Sequence, residues 1–308
     1  MELRQLRYYV RIVELGGIGR AARELDVVPS ALSQQISRLE AELCTRLLQR
    51  NKGGVLATDA GLAFYRQAQL ALRHVDDATR AAQQARLSGH VSLGMPPSAA
   101  AVLAVPFLQA MHQRYPDIRL RLVESLSTNL AAMLDARQLD LSVLFESGTP
   151  KSSNVIVLGD ERLFLIGPAN LPELQRLPRT RVGVEQLADV PLVLGSRALR
   201  VAVDAAFERV GCRPRIVLEI DGLAVLLDAV RAGMGATVQP GSSLLRLPRN
   251  ALRRIEIDDP MARRLNVLAC LNESELSTAA LAARSVLRET AKDMIAAGRW
   301  PGACVHAT

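Results

Sequence analysis

One face of a predicted helix near the N-terminus carries short polar side chains that suit hydrogen bonding to another molecule. Between residues 30 and 43, apolar residues recur at the spacing of a buried stripe, at Leu32, Ile36, Leu39 and Leu43. The opposite face carries Ser30, Ser33, Gln34, Ser37 and Arg38. A helix that faces only solvent usually carries Glu and Lys pairs instead. Hydroxyl, amide and guanidinium groups contact base edges in the major groove, so this face is a candidate DNA-binding surface.

Two shorter helices are predicted before this one. An apolar stripe at Leu3, Leu6, Val10 and Val13 indicates the first helix, and the glycines at 16 and 17 end it. A second helix follows around residues 18–25, and Pro29 suits the first turn of the third. This order is a helix-turn-helix, whose second helix lies in the major groove. A small helical bundle with a serine-rich solvent face is the alternative that periodicity leaves open.

Basic residues follow the third helix. Arg50 and Lys52 precede Gly53 and Gly54 and then a short apolar stretch, which predicts a two-stranded wing with a basic tip. Cations there would contact phosphate and position the protein on DNA. Residues 1–90 hold thirteen Arg and Lys against nine Asp and Glu, within a chain of net charge +7, so the balance agrees with a nucleic-acid partner.

A long helix is predicted from Thr58, a suitable N-cap, with Asp59 in the first turn. Its small and apolar residues recur at spacings of four and three, at Phe64, Ala68, Ala71, Val75, Ala78 and Ala82. Such a heptad seam predicts close packing against a second helix, most simply one from another copy of the chain. An intramolecular helical hairpin is the alternative.

After Ser88 and Gly89 the pattern changes to alternating strands and helices, which predicts parallel sheets in two lobes with a cleft between them. Ligands of such sheets bind beyond the carboxyl ends of strands, near helix N-termini. Polar residues at these predicted positions are Ser98, Ser125, Ser127, Thr128, Ser196 and Arg197, with Arg200 nearby. Arginine would favour an anionic effector, whereas helix capping alone also explains the serines.

The remaining reactive side chains give no catalytic site. The four histidines neither cluster nor show a metal spacing, and no nucleophile elbow, P-loop or dinucleotide motif is present. Cys44, Cys212, Cys270 and Cys304 are scattered without a C-x-x-C pair, so no metal, cofactor or disulfide framework is expected, although a thiol-based redox sensor stays a remote alternative. The chain shows neither a secretion signal nor a membrane span, which predicts a cytoplasmic protein.

The segments "AARELDVVPSALSQQISRLEAEL", "LLQR" and "GGVLATDAG" resemble the winged helix-turn-helix of the LysR-type transcriptional regulators. The later segments "RLRLVES", "QLDLSVLFE" and "VDAAFERVGCRPRIVLEIDGLAVLLDAVRAGMGATVQP" resemble that family's regulatory half. The stretches "ALSQQISRLEAE" and "FLIGP" are similar to the nitrogen-assimilation-control branch. The resemblance therefore covers nearly the whole chain.

The resemblance implies an α plus α/β fold: a winged helix-turn-helix, a long dimerisation helix and a two-lobed domain like a periplasmic solute-binding protein. The implied domains are residues 1–58 for DNA binding, 59–89 for the linker helix and 90–308 for regulation. Within the last, lobe I would hold about 90–160 and 264–300, and lobe II about 161–263. The chain departs from the family at Val28, Pro29 and Ser30, where Ser or Thr, Gln and Pro are common, so a frequent base-contacting Gln is missing. Cys44 and Leu48 also stand where Gly and Phe are common.

The resulting hypothesis is a regulator, not an enzyme, that binds promoter double-stranded DNA as a homodimer or as a homotetramer formed from two dimers. A small-molecule effector in the inter-lobe cleft would control it. A regulator of the same type that works without a small effector is the alternative, because the similar branch includes members thought to need none.

Overall fold

The computed structural model describes residues 1–51, 54–83, 87–145, 154–195, 197–245 and 252–305. Its chain divides into two compact units, Met1–Gly89 and His90–Thr308. The first unit contains, in order, α1 (Leu3–Leu15), α2 (Ile18–Glu24), α3 (Pro29–Glu42), β1 (Leu48–Asn51), β2 (Gly54–Ala57) and α4 (Asp59–Gln83).

The ends of these helices follow local chemistry that the sequence predicts. Gly16 adopts a left-handed φ of 62° after α1, a conformation that costs glycine little, and the N–H of Gly17 donates to the carbonyl of Ile12. Pro29 occupies the first position of α3, where no N–H is needed. Thr58 caps α4, because its Oγ1 accepts from the N–H of Gly61 at 3.0 Å.

The core of the first unit joins α1, α2 and α3 to the base of the β1–β2 hairpin. Leu32, Ile36 and Leu39 of α3 are buried, as the apolar spacing predicts, and Leu43 packs against them at partial exposure. Leu47, immediately before β1, is 2% exposed in the same cluster. The start of the hairpin is therefore fixed to the helix-turn-helix.

The first half of α4 packs on α1 of the same chain. The rings of Phe64 and Tyr9 meet edge to face with centroids 5.2 Å apart, and Ala68 is 2% exposed against Leu6 and Val10. Ala68 is therefore buried within its own chain and Phe64 is half-buried there, while the intermolecular seam stays a prediction. Heptad spacing identifies a helix face that packs, and here the packing partner is a nearby helix of the same chain.

The second unit alternates strands and helices. Its elements through the first crossover are β3 (Gly89–Met95), α5 (Pro97–Arg114), β4 (Ile118–Glu124), α6 (Ser127–Asp135), β5 (Leu141–Phe145) and β6 (Asn154–Gly167). Those that follow are α7 (Pro172–Gln175), β7 (Arg181–Val182), β8 (Leu192–Leu194), α8 (Arg197–Arg209), β9 (Ile216–Glu219), α9 (Leu223–Arg231) and β10 (Thr237–Pro240). The last are β11 (Arg253–Ile257), β12 (Arg263–Cys270), α10 (Thr278–Ala296) and β13 (Ala303–Cys304). Short 3-10 helices include Gly241–Leu244 after β10.

Lobe I is a sheet in the order β4-β3-β5-β12-β6 with helices on both faces. Successive side chains of a strand point to opposite faces, and β12 shows the consequence. Leu268 and Cys270 face the cluster made with α5 and α10, whereas Val267 and Ala269 face the cluster made with α6. The lobe therefore has two hydrophobic layers.

Lobe II continues from the same long strand. The second half of β6 pairs antiparallel with both β10 and β11, and β7 runs parallel to β11. The predicted parallel pairing is confirmed for β3 with β5 and for β8 with β9. It is wrong for the crossover strands, because the chain leaves lobe I along β6 and returns along β12, which pair antiparallel.

Candidate functional site

The outer face of α3 is polar and open. Ser30, Gln34, Ser37 and Arg38 are exposed, and Ser33 is half-buried. Arg38 has no ion-pair partner among the described residues, so its guanidinium is available to another molecule. The inner face of α3 is buried on the core, which leaves the outer face as the surface that this helix presents.

Glu40 links α3 to the hairpin, a role that the sequence analysis missed. Its side chain is buried at the inner side of α3, and its Oε1 accepts from the backbone N–H groups of Leu47 at 2.8 Å and Leu48 at 3.0 Å. Arg46 donates to its Oε2 at 3.1 Å. The Tyr9 hydroxyl lies beside the same segment, where it donates to the carbonyl of Leu47. Burial raises the pKa of the Tyr9 phenol, and the negative charge of Glu40 raises it further.

The basic wing lies partly outside the described residues. Arg50 pairs with Val55 across the hairpin, but its side chain is not described, and Lys52 lies outside the described residues altogether. The two-stranded hairpin is present as predicted, with β1 and β2 antiparallel. The phosphate contacts of Arg50 and Lys52 stay a prediction.

The second candidate site is a cleft between the two lobes of the regulatory unit. It holds about 480 Å³ of empty space, part of it open to solvent. Its lining comprises Pro96, Pro97, Ser98, Leu126, Ser127, Phe145, Gly195, Leu199, Asp221, Leu223, Leu226, Gln239 and Arg264. Most of these residues lie at the ends of strands or the starts of helices in both lobes, which is where ligands of α/β sheets bind.

A buried ion pair forms the floor of the cleft at the crossover strands. Arg264 on β12 lies opposite Glu161 on β6 in the strand register, and its Nη2 donates to the Glu161 Oε2 at 2.8 Å. The same Nη2 donates to the Ser98 Oγ at 2.9 Å, and the guanidinium lies 3.8 Å from the centroid of the Phe145 ring. Burial lowers the pKa of the Arg264 guanidinium, and the Glu161 carboxylate opposes that shift.

The carboxylate of Glu161 is fully buried and has further donors. The N–H of Ser242 donates to its Oε1 at 3.2 Å, and the Asn266 amide donates to its Oε2 at 3.4 Å. A buried charge needs such partners because the surrounding protein solvates it poorly. The cleft floor is therefore electrically balanced within the chain.

The predicted effector residues divide into three groups. Ser98 and Ser127 line the cleft, whereas the half-buried Ser125 and the exposed Thr128 are not part of its lining. Ser196 lies outside the described residues, and Arg197 begins α8 with its side chain not described. Arg200 is paired with Asp204 at 2.8 Å and Glu219 at 2.7 Å, so it is engaged away from any ligand.

Other lining residues were not predicted. Arg264, Asp221, Gln239 and Phe145 carry the chemistry of the cleft, yet no local motif marks them. Phe145 ends one strand and Asp221 follows another, so the rule that identified Ser98, a position beyond the carboxyl end of a strand, could have identified both. Arg264 lies within a strand, where only the sheet register shows its role.

Reactive groups elsewhere do not form a second centre. In the part of the chain that the structure describes, no three His, Cys, Asp or Glu side chains are grouped to hold a metal ion. The four cysteines are free thiols, and burial raises the pKa of Cys270, which disfavours its reactive thiolate. Among the described helices, none has the length and apolarity that crossing a membrane needs.

The chain combines a winged helix-turn-helix with a two-lobed α/β domain that contains a polar cleft. This combination is typical of DNA-binding regulators whose second domain has the fold of a ligand-binding protein. Comparison with known families agrees in both parts. The description "Bacterial regulatory helix-turn-helix protein, lysR family" matches residues 3–62, and "LysR substrate binding domain" matches residues 84–292. The chain belongs to the LysR family of transcriptional regulators.

Individual relatives support this assignment. The nitrogen assimilation regulatory protein nac of Escherichia coli (strain K12) is 37% identical over 248 residues, 79% of this chain and 79% of that protein. The protein of the same name from Klebsiella aerogenes is 36% identical over 248 residues, with the same coverage of 79% of each. A full-length OxyR variant from Pseudomonas aeruginosa has the same fold, with a TM-score of 0.73 at 23% identity over 95% of this chain and 98% of that chain.

Proposed function

We propose that this regulator works in the cytoplasm and binds promoter DNA through the outer face of α3, as a homodimer or a dimer of dimers. Residues 1–58 contact DNA, residues 59–89 connect and dimerise the subunits, and residues 90–308 regulate binding. The observation that carries the proposal is the exposed polar face of α3, on a helix whose other face is fixed to the core. That face presents Gln34 and Arg38, and Arg38 has no ion-pair partner among the residues that the structure describes. Short polar side chains on a rigid helix allow close approach to base edges.

Replacing Gln34 by alanine should relax base preference at one operator position and cost about 1–3 kcal/mol of specific binding. An amide can make a bidentate contact with one base, whereas alanine makes none. Gel shifts on operators varied at single positions measure the effect. Arg50→Ala is the contrasting variant, because loss of a phosphate contact should weaken all sequences and reduce the salt slope by about one unit.

Gln175→Ala, an exposed glutamine in the regulatory unit, is the matched control and should bind DNA as the wild type does. If Gln34→Ala kept wild-type affinity and base preference at every position, α3 would not lie in the major groove as proposed.

Self-association is proposed to use the second half of α4. Val75 is half-buried and Ala78 is exposed within their own chain, while the side chain of Ala82 is not described. Ala71 is half-buried and already packs beside Leu6 and Val10, so the seam available to a partner starts further along the helix than the heptad spacing alone predicts.

An Ala78→Glu substitution should weaken dimerisation about tenfold or more, since two like charges would face each other in a close-packed seam. Sedimentation equilibrium of the purified chain measures the association. Ala63→Glu adds the same charge to an exposed position on the outer side of the same helix and should leave association unchanged. Equal association of all three proteins would rule out this part of α4 as the interface.

For the cleft, the proposed role is binding a small effector that alters DNA binding. The buried Ser127 hydroxyl, which has no hydrogen-bond partner among the described residues, supports it. A buried polar group without a partner is costly unless a ligand or water completes its hydrogen bonds. A different observation favours the alternative of a regulator without an effector. Arg264 is paired internally with Glu161, so the described residues of the cleft floor carry no unbalanced cation.

A further inference from the structure

The wall of the cleft contributed by lobe I carries hydrogen-bond donors among apolar residues. Ser127 is 6% exposed at the first position of α6, and its Oγ has no hydrogen-bond partner among the described residues. Within the described part of the chain no side chain caps this helix, so the N–H groups of its first turn have no side-chain acceptor. Free amides and the helix dipole favour a negatively charged acceptor.

Two further donors line the same cleft. The Ser98 hydroxyl accepts from Arg264, which leaves its own hydrogen to donate. The Nε of Arg264 is buried without a partner in the part of the chain that the structure describes. Both residues line the same cleft as Ser127, so a single acceptor group there would meet several donors.

The wall contributed by lobe II carries a hydrogen-bond acceptor, the carboxylate of Asp221. Asp221 lies between β9 and α9 in lobe II, lines the cleft and has no ion-pair partner among the described residues. Gln239 on β10 is 6% exposed and adds an amide to the space between the walls. A carboxylate at that place attracts a cationic donor such as an ammonium group.

The charges of the cleft discriminate among ligand classes. Arg264 and Glu161 neutralise each other, so Asp221 leaves the described residues of the cleft with an excess of negative charge. A dicarboxylate would bring its second charge towards Asp221 and be repelled, and a simple amine would leave the donors of lobe I unpaired. One ligand with a carboxylate and an ammonium group satisfies both walls.

We infer that the effector is a small zwitterion of the free amino acid class, with its carboxylate at Ser127 and Ser98 and its ammonium group at Asp221. The inference rests on the proposed function, because it names the ligand of the proposed effector cleft. Such a ligand also bridges the two lobes, since Ser127 belongs to lobe I and Asp221 to lobe II. Its binding therefore favours the arrangement of the lobes in which a single ligand can contact Ser127 and Asp221 at the same time.

The test is a thermal-shift titration of the full-length chain with each of the twenty standard L-amino acids. A ligand that binds only the folded state raises the melting temperature, and the dependence on concentration gives its Kd. Each amino acid that stabilises the protein is then compared with the carboxylic acid and the amine that carry the same side chain. We expect both analogues to bind about tenfold or more weakly, since each loses one charge-assisted contact.

Asp221→Asn separates the inference from a general preference for carboxylates. We expect this variant to bind the amino acid about tenfold more weakly while binding the carboxylic acid analogue at least as well as the wild type does. Asp228→Asn removes the same charge from an exposed position on α9 outside the cleft lining, and should bind both as the wild type does. Equal melting temperatures without ligand confirm that the variants fold.

Three results would overturn the inference. These are equal binding of the amino acid and its carboxylic acid analogue, unchanged amino acid binding by Asp221→Asn, and no shift with any of the twenty. Gel shifts on the same preparations separate these results from failure of the proposed function. If one of the three results occurs while sequence-specific DNA binding persists, only the ligand class is refuted, whereas loss of sequence-specific DNA binding refutes the regulator itself.

Discussion

Replacing Arg264 by methionine should destabilise the regulatory unit by about 3–5 kcal/mol, because removing one partner of a buried ion pair leaves an uncompensated charge. Glu161 is fully buried and would keep only the neutral donors of Ser242 and Asn266. Methionine retains much of the apolar stem, so lost packing contributes little. Denaturant unfolding followed by the fluorescence of Trp300, the single tryptophan and 2% exposed in the lobe I core, measures the change.

The matched control is the double variant Glu161→Gln with Arg264→Met. It removes both charges and keeps an acceptor for the N–H of Ser242, so most of the lost stability should return. If Arg264→Met were as stable as the wild type, or if the double variant were no more stable than the single one, the buried charge would not be the cause. Glu42→Gln, an exposed acid in the other unit, should have little effect.

The ion pair illustrates what the sequence alone does not show. Arg264 and Glu161 are 103 positions apart and meet only because β6 and β12 pair in one particular register. Shifting that register by one residue would move each side chain to the other face of the sheet. No local spacing in the sequence encodes this contact. Sequence patterns therefore did not predict Arg264 and Glu161 on the floor of the cleft, although they predicted Ser98 and Ser127 in its lining.

Local features were predictable where one element decides them. Leu32, Ile36 and Leu39 form the buried stripe of α3 because a helix repeats every 3.6 residues. Ser98 and Ser127 reach the cleft because both follow a strand and open a helix. Ser125 and Thr128 satisfy nearly the same rule, yet neither is part of the cleft lining.

The seam of α4 shows a different limit. Heptad spacing predicts that a face is packed, but it does not identify the packing partner. Phe64 and Ala68 are covered by α1 of the same chain, whereas Ala78, on the same stripe, is exposed. An intermolecular interface therefore has to be judged by exposure in the single chain.

Glu40 is a second buried acid that the apolar pattern did not mark. It directly follows Leu39 on the inner side of α3, a position where a charged residue is rare. Its charge is tolerated because the N–H groups of Leu47 and Leu48 approach it as the chain enters β1. Those contacts hold the hairpin at a fixed distance from α3.

A Glu40→Ala substitution should therefore destabilise the N-terminal unit, by about 1–3 kcal/mol for the buried N–H of Leu47 alone. It should also weaken DNA binding more than the stability loss explains, because α3 and the hairpin would no longer be held in one geometry. Binding is measured by gel shift well below the melting temperature, so that the folded fraction stays near one. Unfolding is followed by circular dichroism, since the tryptophan lies in the other unit.

Two further variants show whether the acceptor is the cause. Glu40→Gln keeps one oxygen that accepts from Leu47 and should recover part of both losses, although a neutral amide accepts more weakly than a carboxylate. Glu42→Ala removes an exposed acid from the same helix end and should change neither stability nor DNA binding appreciably. If Glu40→Ala bound DNA as tightly as the wild type at equal folded fraction, the hairpin would not need Glu40 to be held in place. Its contacts with Leu47 and Leu48 would then contribute to stability alone.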